Sequence, residues 1–355
     1  MAAQSTPPEI LFERCGAAAI VTLNRPEALN AVTFAMVGAL SRQLQEWDDD
    51  PAVTRVVLTA AGERAFCAGG DLRALFDLGR AGRHQAALDY WRAEYVLNAQ
   101  IKRYRKPYVS LIDGIVMGGG VGISIHGSHR VAGDGFSFAM PEVGIGFFPD
   151  VGATWFLPRL PGELGTYCAL TGARLGPADG VANGIATHRV ASRRFPDLLA
   201  GLCGTVPVDA LLSAFAEPAG EGPLSAHREA MDRLFTGDSV EGILAALDAA
   251  AAGQGSDAVF ARGAASAIRL KSPTSLKIAL AQLRRGRNLD FAECMRTEFR
   301  IVSRLLRGHD LHEGIRSVII DKDRAPHWEP SALEAVSGAE IDRYFAPLTD
   351  ELALP

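Results

Sequence analysis

Two glycine-rich turns and two carboxylates hold most of the chemistry legible in this chain. Ala65-Phe66-Cys67-Ala68-Gly69-Gly70-Asp71 and Asp113-Gly114-Ile115-Val116-Met117-Gly118-Gly119-Gly120 each follow a strand-like run. Glycine lets a backbone N–H approach a ligand with no side chain in the way. If the second turn opens a helix, its first N–H groups lack intrahelical acceptors and sit at the positive end of the helix dipole, which suits a developing oxyanion. Two tight turns with no further role would produce the same pattern. Downstream, Glu142 and Asp150 lie eight residues apart in Phe138-Ala-Met-Pro141-Glu142-Val-Gly-Ile-Gly-Phe-Phe-Pro149-Asp150. Apolar surroundings raise a carboxylate's pKa and a second carboxylate raises it further, which readies such a pair for proton transfer. A helix cap or a solvated loop acid is the alternative for either one alone.

The elements that must position these groups follow from periodicity. Ile10 to Leu23 reads as two short strands around an Arg14-Cys15-Gly16 turn. Phe34, Val37, Leu40, Leu44 and Trp47 carry the 3–4 spacing of an amphipathic helix, and Arg55 to Thr59 reads as a buried strand. A helix over His84 to Tyr104 and a strand over Tyr108 to Ile112 close a second α/β unit, and Arg130-Val131-Ala132 and Phe136-Ser137-Phe138 read as short strands. From about Phe195 onward alanine and leucine dominate, as in Val240 to Ala252 and Ser275 to Leu283, so this part is predicted to be mostly helical. Composition shifts across Glu217 to Pro223, a surface linker by its glycines and prolines.

Bulk properties narrow the function classes. The 355 residues are 48% hydrophobic and 22% charged, an ordinary globular mix that excludes collagen, coiled coil and disorder. With 36 basic and 41 acidic residues interspersed, the net charge of −5 leaves no footprint for a nucleic-acid backbone. The longest apolar run, Gly114 to Ile125, is far shorter than a membrane span and studded with glycine. Five scattered cysteines without a CxxC pair suggest neither disulfides nor a zinc ribbon, and Met1 to Glu9 shows no basic segment followed by an apolar one. A cytoplasmic protein is expected. Fingerprints of P-loop, dinucleotide-binding and serine-hydrolase chemistry are absent. His309-Asp-Leu-His312-Glu313 departs from HExxH in both spacing and glutamate position, and the His126 and His129 pair sits in an apolar stretch. No metal site is expected from either.

Leu23-Asn24-Arg25-Pro26-Glu27-Ala28-Leu29-Asn30-Ala31, the Ala68-Gly69-Gly70-Asp71 loop and the glycine triplet together resemble the crotonase (enoyl-CoA hydratase/isomerase) superfamily. Within it, the Phe66–Asp71 loop, Met140-Pro141-Glu142, Gly146-Phe-Phe-Pro149-Asp150-Val151-Gly152 and Phe156-Leu157-Pro158-Arg159-Leu160-Pro161-Gly162 are similar to the 3-hydroxyisobutyryl-CoA hydrolases. Ser272-Pro273-Thr274-Ser275-Leu276-Lys277 and the stretch from Arg307-Gly308-His309-Asp310 to Ile320-Asp321-Lys322-Asp323 extend the match over nearly the whole chain.

The resemblance implies an α/β fold with a crotonase-like β-β-α superhelical core over residues 1–205 and a mainly helical C-terminal region over 206–355. It implies an oxyanion hole from the Gly70 and Gly119 amides, with an acyl-CoA thioester as partner and no cofactor beyond the coenzyme A it carries. Hydratases of the superfamily carry a glutamate two residues after the triplet, where this chain has Gly122. The partner glutamate is retained as Glu142, and Asp150 stands where hydratases usually have glycine. Hydrolysis of 3-hydroxyisobutyryl-CoA, a step of valine degradation, is therefore expected, with Glu142 and Asp150 as catalytic residues of exchangeable role. Arg73 near the CoA arm, Asp77 one helical turn later, and Gly118 are substrate-binding candidates by the same similarity. Cys67 adjoins the hole but has no histidine in its local sequence, so packing is expected of it rather than reaction. A homo-oligomer is implied as well, although the altered C-terminal part leaves its order open. Hydration or isomerisation of an enoyl-CoA is the rival within the superfamily, and non-catalytic acyl-CoA binding the rival outside it.

Overall fold

The structure is a computed structural model that describes residues 7–354. Residues 1–6, part of the stretch inspected for a leader, lie outside the described residues. The chain groups into two compact units. One comprises the segment up to Gly70, Gln100–Phe138 and Gly176–Gly220; the other comprises Asp71–Ala99, Ala139–Leu175 and the segment from Glu221 onward. The 205/206 boundary drawn from the sequence thus falls inside the last segment of the first unit, and the Glu217–Pro223 stretch contains the change from one unit to the other.

The first unit carries the sheets. Strands β1 (Ile10–Cys15), β2 (Ala18–Leu23), β3 (Arg55–Ala60), β5 (Tyr108–Ile112), β7 (His129–Ala132) and β9 (His188–Arg189) form one sheet in that order. Strands β4 (Ala65–Cys67), β6 (Ile115–Met117) and β8 (Ser137–Ala139) form a second. The β1–β2 hairpin is antiparallel with Cys15 opposite Ala18, while β2–β3, β3–β5, β5–β7 and β7–β9 run parallel. Strands β3, β5 and β7 of the large sheet are each followed by one of the small sheet, so the chain coils through repeated β-β turns. Parallel strands covered on both faces need continuous apolar runs, and Tyr108–Ile112 is buried throughout. Ala18, Val57, Val109, Leu111, Val131 and Val190 pack with Leu198, Leu202, Val208 and Leu212 from the helices that follow β9.

Local signals set the helix starts. The helix α1 (Phe34–Asp49) begins where the Thr33 hydroxyl accepts from the Met36 N–H at 3.2 Å, and it buries Met36, Val37, Leu40, Leu44 and Trp47. In the second unit, Ser272 caps helix Pro273–Gly286 and Asp290 caps helix Phe291–Leu305 in the same way. The N-terminal hairpin, the helix ending at Lys102 and the helix-rich C-terminal part agree with the sequence reading.

Parallel pairing of β4 with β6 aligns Ala65 with Ile115 and Cys67 with Val116, and the helix α4 (Gly119–Ile125) starts directly after β6. A Cβ at Gly120 would stand 2.5 Å from the Cys67 carbonyl oxygen and 2.7 Å from its Cβ. Only glycine permits this approach. Gly120→Ala is therefore expected to reduce the unfolding free energy by about 1–3 kcal/mol, read as a lower urea midpoint at unchanged slope.

Candidate active site

Adjacent parallel strands end at the same edge of their sheet, so the turns that follow β4 and β6 lie side by side. A Cβ at Gly69, whose φ is 117°, would come within 3.7 Å of the Met117 carbonyl oxygen. The Val32 N–H donates to the Gly69 carbonyl at 2.8 Å, and the short parallel bridge so formed leaves the Gly70 N–H outside its pattern. In the neighbouring turn Gly118 takes φ 45° and ψ −123°, and its carbonyl accepts from Val121 at 2.8 Å and Gly122 at 3.1 Å. The Gly119 N–H is then the first of the helix and has no intrahelical acceptor. The two edge turns thus carry the Gly70 and Gly119 amides on adjacent parallel strands. Cys67 is fully buried and donates its thiol hydrogen to the Gly69 carbonyl at 3.5 Å, which is packing.

The carboxylates belong to the second unit. Glu142 opens a short 3-10 turn after Pro141, and the Phe147 N–H donates to its carbonyl at 3.0 Å. Its side chain is buried, and its Oε2 has no hydrogen-bond partner among the described residues. Asp150 is buried as well, with Oδ2 accepting from the Tyr95 hydroxyl at 2.9 Å. Tyr95 belongs to the helix α3 (His84–Lys102), which also carries Glu94, an acceptor for the Tyr90 hydroxyl at 3.3 Å. Glu298, on helix Phe291–Leu305, accepts from the Gly152 N–H at 2.8 Å and from the Thr154 N–H at 2.9 Å. Apolar rings line the same loop: Phe147 stacks on Trp91 at 5.6 Å and lies 4.6 Å from Phe148.

Desolvation dominates the electrostatics of these acids. Burial pushes Asp150 up to about 7, against the pull of the Tyr95 hydroxyl. Burial and then the Asp150 charge push Glu298 up to about 8. The same two causes, in the same order, hold Glu142 and Glu94 well above the usual carboxylate range. Groups poised near neutrality and shielded from water are suited to proton transfer.

Of the residues singled out from the sequence, the structure brings Gly70, Gly118 and Gly119 to neighbouring turns, and it buries Glu142 and Asp150 in one unit. Arg73 and Asp77 are exposed on helix α2 (Leu72–Arg80), where Arg73 donates to the Ile319 carbonyl at 3.4 Å. The histidines have other partners. His129 pairs with Asp209 at 2.8 Å, His309 with Asp310 at 3.2 Å, and His312 meets the Phe76 ring edge-on. Glu94, Tyr95 and Glu298 were not singled out. A signal existed for Glu298, which shares a helix face with Cys294, Met295, Ile301, Val302 and Leu305, because an acid on an apolar stripe is costly to bury.

These shifts tie stability to pH. For an acid whose pKa is higher folded than unfolded, the folded state holds the extra proton, so its contribution is greatest below the unfolded pKa and is lost as pH rises through the folded value. Unfolding free energy is therefore expected to fall as pH rises from about 4 to about 8, with each pKa unit worth about 1.4 kcal/mol. Urea titrations of wild type and Glu298→Gln should show a shallower decline in the variant, and parallel curves would contradict the assignment.

The family model for enoyl-CoA hydratase/isomerase matches residues 18–345. The chain is 44% identical over 352 residues to "3-hydroxyisobutyryl-CoA hydrolase, mitochondrial" of Danio rerio, covering 96% of this chain and 90% of that protein. It is 40% identical over 352 residues to the Homo sapiens protein of the same name, covering 96% and 89%. A carnitinyl-CoA dehydratase from Mycobacterium thermoresistibile superposes with a TM-score of 0.91 at 42% identity, covering 97% of this chain and 98% of that one. An enoyl-CoA hydratase from Rhodobacter sphaeroides 2.4.1 superposes at 0.90 and 40%, covering 98% and 100%. The mitochondrial naming of these relatives overturns the cytoplasmic expectation. Scattered free cysteines suit any reducing compartment, so they carried no information about which one. The chain belongs to the enoyl-CoA hydratase/isomerase family and has the crotonase fold.

Proposed function

We propose that this protein hydrolyses a short β-hydroxyacyl-CoA thioester, 3-hydroxyisobutyryl-CoA foremost, to the free hydroxy acid and coenzyme A. The observation that carries the reading is the buried, unpartnered Oε2 of Glu142 beside an Asp150 already engaged by Tyr95. An orphaned carboxylate oxygen in a dry environment is costly unless substrate or water completes it. Glu142 accordingly takes the reacting role, as base for water or as nucleophile on the acyl carbon. Asp150, held by the tyrosine, binds the 3-hydroxyl or orients the water. The Gly70 and Gly119 amides receive the charge that builds on the thioester oxygen. A C–O bond forms, the C–S bond breaks, and coenzyme A leaves as the thiolate, which takes up the proton released from water; on the nucleophilic route, water then hydrolyses the acyl–Glu142 anhydride. The relatives of that name support the substrate, and hence a step in valine degradation. Gly118, Arg73 and Asp77 are assigned to substrate binding on similarity alone. The reaction draws on no cofactor beyond the coenzyme A of the substrate.

The solved dehydratase and hydratase structures favour a second reading, water addition to or elimination from an acyl-CoA. Gly122 weighs against it, because the hydratase glutamate is absent there. Thiol release from 3-hydroxyisobutyryl-CoA and loss of enoyl absorbance from crotonyl-CoA, measured on one preparation, separate the two. Thiol release is expected, and enoyl turnover without it would reverse the assignment.

Glu142→Gln is expected to lower kcat by about a thousandfold or more; unchanged turnover would leave only a binding role. Since Glu142 must be ionised to react, kcat/KM is expected to rise with pH along a limb above the usual carboxylate range, and Asp150→Asn, which removes the neighbouring charge, should move that limb down.

A further inference from the structure

The segment that carries Asp150 is held in a conformation it would not keep alone. Val151 has φ 52° and Gly152 φ 92°. For a β-branched residue the left-handed region is strained by contact of its side chain with its own backbone, and such strain persists only where surrounding groups over-determine it. Val151 is also fully buried, so it cannot relax toward solvent. Two helices grip the turn. Gln282 of helix Pro273–Gly286 donates to the Pro149 carbonyl, and Glu298 accepts from both the Gly152 and the Thr154 N–H. Glu298 is itself wholly buried, although burying an acid there is expensive. A carboxyl group supplies what a shorter or amide side chain does not: two oxygens able to accept two backbone donors from one side.

We propose that Glu298 is a positioning residue, whose two-oxygen grip on the Gly152 and Thr154 N–H groups locks Val151 in the left-handed conformation and thereby fixes the Asp150 carboxylate on the Tyr95 hydroxyl. The inference rests on the assignment of Asp150 to the thioester reaction. Glu298 reaches the chemistry through the backbone of the turn, and the groups that face Asp150 electrostatically are Glu94 and Tyr95 from α3, Glu142, and Glu298 itself.

The test uses purified full-length protein, with folding checked by thermal melting. Glu298→Ala is expected to lower kcat by about a hundredfold, the scale of an ångström-sized displacement of a reacting group, and Glu298→Gln, which keeps one acceptor, should lose less. In an Asp150→Asn background the same Glu298 changes should cost nothing further, because two residues acting as one unit are not additive. Val151→Gly, which removes the strain, should shrink the loss caused by Glu298→Ala. Losses that multiply across backgrounds, or a Glu298→Ala enzyme as active as wild type, overturn the proposal. A titration of the Asp150 carboxyl by 13C NMR needs no activity: a value near 7 in wild type should move toward the ordinary carboxylate range in Glu298→Ala as water enters, and an unmoved value overturns it. A wild-type protein that releases no thiol would end the hydrolase reading, and the titration would still decide the role of Glu298.

Discussion

Four carboxylates withdrawn from water, Glu94, Glu142, Asp150 and Glu298, are the constraint to which the second unit is built. An ionised carboxylate in an apolar interior costs several kcal/mol, and neighbouring acids compound it. The fold meets the cost in two ways. Neutral donors satisfy part of the set, with Tyr90 on Glu94, Tyr95 on Asp150 and two backbone amides on Glu298. The remainder is met by protonation. Burial, and then the charge Asp150 carries when ionised, holds Glu142, Glu94 and Glu298 above the usual carboxylate range, so they keep their protons to higher pH. Such a set passes one charge at a time, and its titration belongs to the group rather than to single residues.

Opposite demands govern the glycine turns. An oxyanion needs bare N–H groups, and bare N–H groups need backbone with nothing attached. Parallel pairing of β4 with β6 brings two such turns to one edge, although the chain between them runs through two helices and β5. Gly118 at φ 45° and Gly69 at φ 117° then adopt backbone that side chains resist, and Gly120 admits α4 against Cys67.

The difference between adding water to a double bond and cutting a thioester comes down to where acids stand. Gly122 stands on α4 where a hydratase carries its second glutamate, and the Glu142–Asp150 loop keeps two buried acids. An acid eight residues on from Glu142, tethered to a tyrosine, is suited to reading a hydroxyl on the substrate, and a site built for a hydroxyl rejects analogues that lack it.

Local chemistry in the chain determined much of this. Spacing of apolar residues set α1 and the helices of the C-terminal part, capping residues such as Thr33, Ser272 and Asp290 set their starts, and the glycine turns and Glu142 stood out by residue type alone. The family was legible from the same short motifs. Tertiary structure alone decided that residues 94, 95, 150 and 298 meet, that Val151 is strained, and that Arg73 and Asp77 stay exposed. The reason is physical: a periodic pattern records which face of an element is dry, whereas the partner on that face is chosen by packing between segments 55 to 146 residues apart, and no local spacing encodes it.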